Sequence, residues 1–224
     1  MSRDLAVATA FLKRESLLVM RRRNDLMEPI VFYLLSLFLM QVASAQFPDA
    51  FTTLVPAFLW VLGLLAASHS FTAGWRDERA RGELAELVRA DAPLALLALV
   101  RIAVGWFSTG LPLALIAFGA SLAFDLPAAA AWQLALALLL GLGLVCLIGN
   151  LIASLAIGAG RSSLLIALLL LPLVSPVLIF GIGASSLTLM DAAAAFLMLG
   201  ALTAIALPLV PLAIAFMLKA VEDV

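Results

Sequence analysis

A chain of 224 residues that is 65% hydrophobic and only 12% charged lies far outside the composition of soluble domains. Its net charge of −1 says little about partners, and its single cysteine, Cys146, excludes a disulfide framework, a thiol redox pair and a cysteine metal cluster. The placement of charge says more: all 13 Lys and Arg fall in the first 23 residues, between Arg76 and Arg101, at Arg161 and at Lys219.

Between these sites lie long apolar runs joined by connections whose only charges are Asp49, Asp125 and Asp191. Basic residues are retained on the cytoplasmic side of a membrane. The pattern therefore predicts an all-α integral membrane protein of six spans, each roughly 20 residues long, with both ends and the two interior basic loops inside the cell. Residues 1–29 form a cytoplasmic amphipathic leader, 30–218 the six-helix membrane domain, and 219–224 a cytoplasmic tail.

Residues 3 to 22 read as a helix lying on the membrane. Leu5, Ala8, Phe11, Leu12, Leu18 and Val19 follow helical spacing, leaving Arg3, Lys13, Arg14 and Arg21 for lipid headgroups. The segment is not read as a cleavable signal peptide, because charges recur through Glu28 without a compact apolar core. Arg21 to Asp25 breaks the helix, and Pro29 is placed to open the first span, about 30 to 47. Tyr33, Ser36, Gln41 and Gln46 give that span a polar face suited to protein or a wet cavity.

The second span runs from about 52 to 73, and the loop from 74 to 93 is the richest in charge. Asp77 to Arg89 can form one interfacial helix, with Leu84, Leu87 and Val88 on one face and Arg79, Arg81, Glu83 and Glu86 around it. Asp77 and Glu78 suit the positive end of that helix. It reads either as a connector floating on headgroups or as a coupling helix seated in a cytoplasmic protein. Its nearly balanced charge favours the protein partner, since a lipid surface calls for a mainly basic face.

The third span covers roughly 98 to 122, with Arg101 near enough to the inner surface to snorkel. The fourth covers about 130 to 157, the fifth 163 to 182 and the sixth about 192 to 218. Pro112, Pro172, Pro176, Pro208 and Pro211 are placed to bend these helices, while Gly105, Thr109, Gly141, Gly143 and Gly149 let them approach closely. Asn150 is expected to make an interhelical hydrogen bond. His69, the only histidine, reads as an interfacial or packing residue, with heme-iron ligation or proton shuttling as the alternative. There is no carboxylate pair, catalytic triad, metal spacing or phosphate loop. No catalytic residue, metal site or nucleic-acid partner is expected, and any ATP hydrolysis belongs to another subunit.

Together these residues resemble the heme exporter protein B family, CcmB, along nearly the whole chain. Trp60 lies in the second span, and Trp75-Arg76-Asp77-Glu78 is followed by Gly82-Glu83-Leu84-Ala85-Glu86-Leu87. Trp106 precedes Thr109-Gly110-Leu111-Pro112-Leu113, and the fifth span carries Leu171-Pro172-Leu173-Val174-Ser175-Pro176-Val177-Leu178-Ile179-Phe180. Three places depart from the family pattern: Thr72-Ala73 stands where an acidic-basic pair is common, Ala85 where an acid follows the loop leucine, and Arg161-Ser162-Ser163 where a basic residue precedes two glycines.

The resemblance implies the permease subunit of an ABC-type complex for cytochrome c maturation in a bacterial inner membrane. Implied partners are a second copy of the chain, a cytoplasmic ATP-binding subunit, a heme-handling membrane subunit and a periplasmic heme chaperone. Heme is then a substrate of the complex, with no cofactor bound by this chain alone. Trp75, Arg76, Asp77, Glu78, Arg81, Gly82, Glu83, Leu84, Glu86, Leu87 and Arg161 become the candidate ATPase-coupling residues. Trp106, Gly110, Pro112, Pro172 and Pro176 become candidates for packing and gating. The competing expectations are a permease for a drug, lipid or polysaccharide, and a non-transporting scaffold that passes ATPase motion to a periplasmic partner.

Overall fold

The computed structural model describes residues 2–21, 23–44, 48–68, 74–89, 92–158, 163–185 and 192–222, and every regular element among them is helical. The leader forms α1, Ser2–Arg21, and the next apolar run forms α2, Arg23–Ser44. Pro29, expected to open the first span, instead lies inside α2. After α3, Pro48–Ser68, the charged loop holds α4, Gly74–Ala80, and α5, Glu83–Arg89. The third apolar run is α6, Leu94–Gly105, a π-helical segment at Trp106–Gly110, and α7, Leu111–Ala123. The chain finishes with α8, Ala128–Gly158, α9, Ser163–Ser185, and α10, Ala192–Glu222.

Among the described residues four helical stretches are long and apolar enough to cross a membrane: Leu26–Ser44, Leu94–Ala123, Ala128–Ile157 and Ala192–Val221. The apolar stretches of α3 and α9 are shorter, at Thr53–Ser68 and Pro172–Ser185. Helix α8 is the centre of the bundle and packs against α3, α6, α7, α9 and α10. Leu134, Leu138, Leu142, Val145 and Ile152 along it are fully enclosed. Helices α2 and α10 lie outside and expose large apolar side chains such as Phe38, Leu39, Leu197 and Phe216. Such faces suit hydrocarbon, where apolar exposure carries no penalty.

Two tryptophans decide how closely the helices meet. The Trp60 ring of α3 fits against Gly141 of α8 and Gly181 of α9, where an added Cβ would come within 2.3 and 2.4 Å of it. Its indole N–H donates to the Ser185 hydroxyl at 2.8 Å, and that hydroxyl donates to the Gly181 carbonyl at 2.8 Å. Trp106 fits against Gly110 and Gly143 and donates to the Leu139 carbonyl at 2.9 Å. Asn150, expected to bond between helices, donates within its own helix to the Cys146 carbonyl at 2.9 Å.

The prolines act locally. Pro112 lacks an N–H, and its ring crowds the carbonyl four residues back in an α-helix. The widened turn at Trp106–Gly110, closed by the Leu111 N–H on the Trp106 carbonyl, relieves that crowding. Pro176 likewise leaves the Pro172 carbonyl without its helical donor, and the Ser175 hydroxyl supplies one at 2.9 Å. Satisfying a freed carbonyl in this way is what permits proline in an apolar helix. Helix α9 continues through both prolines.

A candidate coupling site held by buried ion pairs

The loop is shaped by one glycine. Where a single helix was expected from Asp77 to Arg89, α4 and α5 are separated by a turn at Arg81 and Gly82. Gly82 has φ 75°, a left-handed conformation that costs other residues about 1–2 kcal/mol. Its N–H donates to the Arg79 carbonyl at 3.0 Å. The reversal folds α5 back so that Leu84 is fully buried and Leu87 and Val88 pack on the core.

The loop is fastened to the rest of the molecule by a charge network that joins three distant parts of the chain. Arg101 of α6 donates to both oxygens of Glu78 in α4, at 2.5 and 3.1 Å. The same guanidinium reaches both oxygens of Glu15 in the leader, at 2.8 and 3.4 Å. Arg14 donates to Glu78 at 2.8 Å and to Glu83 of α5, and Arg81 closes on Glu83 at 2.6 Å. Three cations thus face three carboxylates. The Glu78 side chain is 1% exposed, and those of Glu15 and Arg101 are 11% exposed.

Aromatic rings cover this network. The Arg101 guanidinium lies 4.0 Å from the Trp75 ring centroid, and both Arg14 and Arg101 lie over Phe11, at 5.4 and 5.6 Å. Ring faces attract cations, more strongly where water is excluded. Trp75 itself is buried, and its indole N–H is the one buried side-chain polar atom found without a partner among the described residues. At the rim, the hydrogen bond from Arg81 holds the Glu83 carboxyl below its ordinary value, assisted by the charges of Arg14, Arg81 and Arg101.

Arg79 makes a second attachment. It donates to the Ile157 carbonyl at 3.1 Å and to the Val221 carbonyl at 3.4 Å. Those carbonyls lie in the last turns of α8 and α10, where a cation meets the negative end of each helix. The loop is therefore pinned to the leader and α6 through carboxylates, and to α8 and α10 through Arg79.

Of the candidate loop residues, Trp75, Glu78, Leu84 and Leu87 face inward, while Arg81, Gly82 and Glu86 are exposed and Glu83 is half-buried. His69, Thr72, Ala73 and Arg161 lie outside the described residues, as do the side chains of Arg76 and Asp77. Trp106, Gly110 and Pro112 gather at the π-helical turn, whereas Pro172 and Pro176 lie on α9, remote from the loop in sequence. Two readings are corrected. Arg14 meets the loop carboxylates instead of headgroups, and Arg101 pairs inward instead of snorkelling. Glu15 carried no expectation at all. The only sequence signal for it was an acid inside the apolar periodicity of the leader, four residues after Phe11.

The described residues contain no group of three or more His, Cys, Asp or Glu side chains that could hold a metal ion. The arrangement suits mechanical coupling: a short, charge-bound loop lies at the ends of the long helices, with Arg81 and Glu86 facing outward.

Known proteins match this chain along nearly its whole length. The family described as CcmB protein matches residues 6–221. The chain is 39% identical to heme exporter protein B of Pseudomonas aeruginosa over 95% of its length and 96% of that protein. It is 35% identical to the Haemophilus influenzae protein of the same name, covering 75% of this chain and 76% of that one. The Bradyrhizobium diazoefficiens counterpart is 30% identical, with 96% and 98% covered. The chain is a multi-pass membrane protein and belongs to the CcmB family.

Proposed function

We propose that this chain is the permease subunit of an ABC-type complex that serves heme export and heme-chaperone release in c-type cytochrome biogenesis. Six spans cross the inner membrane with both termini in the cytoplasm, and the loop from 74 to 93 is the seat of a separate ATP-binding subunit. A second copy of the chain, a heme-handling membrane subunit and a periplasmic heme chaperone complete the assembly. Heme is the cargo of the complex.

Family membership supports the biological setting, and the fastening of the loop carries the mechanical reading. A loop floating on headgroups has no use for a carboxylate buried to the extent of Glu78, since enclosing an ion costs several kcal/mol unless it is paired. Here Arg14 and Arg101 pair it, and the loop is thereby bound to a membrane helix. Motion received at α4 and α5 then passes directly into α6, α8 and α10. In this reading the chain transmits force and binds no cofactor of its own, and ATP is hydrolysed in the partner.

The test is co-expression with a candidate ATP-binding subunit and a candidate heme-handling subunit from the same organism. Joint purification that disappears when residues 74–93 are scrambled supports the reading. A chain that purifies alone, leaving the candidate ATPase soluble, overturns it. ATP turnover that releases a chaperone without moving heme selects the scaffold reading, and flux of a drug, lipid or polysaccharide selects a different cargo.

A further inference from the structure

We infer that the leader helix is a working part of the coupling device, with Glu15 and Arg101 as positioning residues that hold the loop, α1 and α6 as one body. This rests on the reading of the loop as an ATPase seat, though the assembly of the body itself can be tested without an ATPase.

An amphipathic helix that only anchors a chain to lipid keeps its charges in the headgroups. Helix α1 does this with Lys13 and Arg21, which are exposed, but it turns Glu15 inward to 8% exposure. The carboxylate meets Arg101 there, which simultaneously grips Glu78 of the loop. One guanidinium therefore spans two carboxylates that belong to different segments. Its planar fork is what allows two-oxygen contact on both sides; an ammonium offers a single point charge. Arg14, the neighbour of Glu15, reaches Glu78 and Glu83 from the same helix. A push on α4 that passes through Glu78 into α6 therefore carries α1 with it.

The experiment places spin labels at Ser16→Cys and Ala80→Cys, both exposed positions, in a Cys146→Ala chain reconstituted in lipid nanodiscs, with co-purification and chaperone release read on the unlabelled chain. The distance distribution is measured for the chain alone and for its complex with the ATP-binding subunit, with and without ATP. The wild-type network should give one narrow peak that ATP does not move. Arg101→Lys keeps the charge and loses the fork, so it should lose the narrow peak. The ATPase should still co-purify with it, while ATP-driven chaperone release falls. Glu15→Gln should behave alike and serves if Arg101→Lys does not fold. A merely structural role would reduce the yield of folded protein and leave the peak of the folded fraction as narrow as before. That outcome overturns the inference, as does a wild-type peak that shifts on ATP binding. Failure of the ATPase to co-purify with the wild-type chain sinks the seat reading, while the distances in the chain alone still judge the body.

Discussion

Arg101 and Glu15, 86 positions apart in the chain, meet through a 2.8 Å ion pair, and the same guanidinium lies over the Trp75 ring, 4.0 Å from its centroid. Neither charge is accessible enough for water to replace the other. Removing Arg101 therefore leaves two enclosed carboxylates to share Arg14. We expect Arg101→Met to cost about 3–5 kcal/mol, read as earlier unfolding in a mixed-micelle denaturant titration. Replacing Arg101, Glu15 and Glu78 together by Met and Leu should recover most of that loss, because an apolar cluster of like volume needs no pairing. The triple variant should still fail in cytochrome maturation.

Gly82 tests the turn between the loop helices. A Cβ there meets nothing within 4 Å, yet φ is 75°. Gly82→Ala should cost about 1–2 kcal/mol from backbone strain alone, and Gly82→Asn should cost less. Gly82→Pro is incompatible with the positive φ. It should abolish binding of the ATP-binding subunit in a pull-down while the chain still inserts.

The Trp106 site separates hydrogen bonding from packing. Trp106→Phe deletes the donor to the Leu139 carbonyl and should cost about 1 kcal/mol. Gly110→Ala would place its Cβ 2.8 Å from Trp106 Cδ1. It should cost about 1–3 kcal/mol through overpacking and lose most of its effect in a Trp106→Val background, which deletes Cδ1. A thermal double-mutant cycle measures that coupling.

Acid should loosen the loop at its rim. The Glu83 carboxyl is held low by Arg81, so its contribution is present above the unfolded-state value and is lost as pH falls through the lower folded one. Amide hydrogen exchange of α5, followed against pH and corrected for the intrinsic pH dependence, should stay slow until below the ordinary carboxylate range. Arg81→Gln should move the onset of rapid exchange to higher pH.

Helix placement was legible because long apolar runs and clustered basic residues are local signals. Helix α1 begins and ends within a residue of the expected 3 to 22. The loop was legible as a charged, amphipathic stretch, but its division into two helices depended on how strongly Gly82 would turn the chain. The ion network was not legible. In the sequence Arg14 is one of several leader cations, Arg101 is a cation near a span end, and Glu15 is one acid among bases. Their burial follows from the packing of α1 against α6, a contact between segments about eighty residues apart that no window on the sequence contains. Asn150 failed for the opposite reason: an acceptor four residues earlier in its own helix satisfied a group expected to look outward.

The seat of Trp60 has a consequence for how this core can change over time. One indole ring occupies the space two glycines leave open on separate helices, and Gly141 and Gly181 each lack room for even a methyl group while that ring is present. Single exchanges at any of the three positions are therefore closed in either direction: a larger residue at a glycine collides, and a smaller one at Trp60 leaves a void and frees the Ser185 hydroxyl. The three sites form a lock that opens only by paired steps, such as a smaller ring with one alanine. Descendants of this chain should keep all three together or alter them in concert.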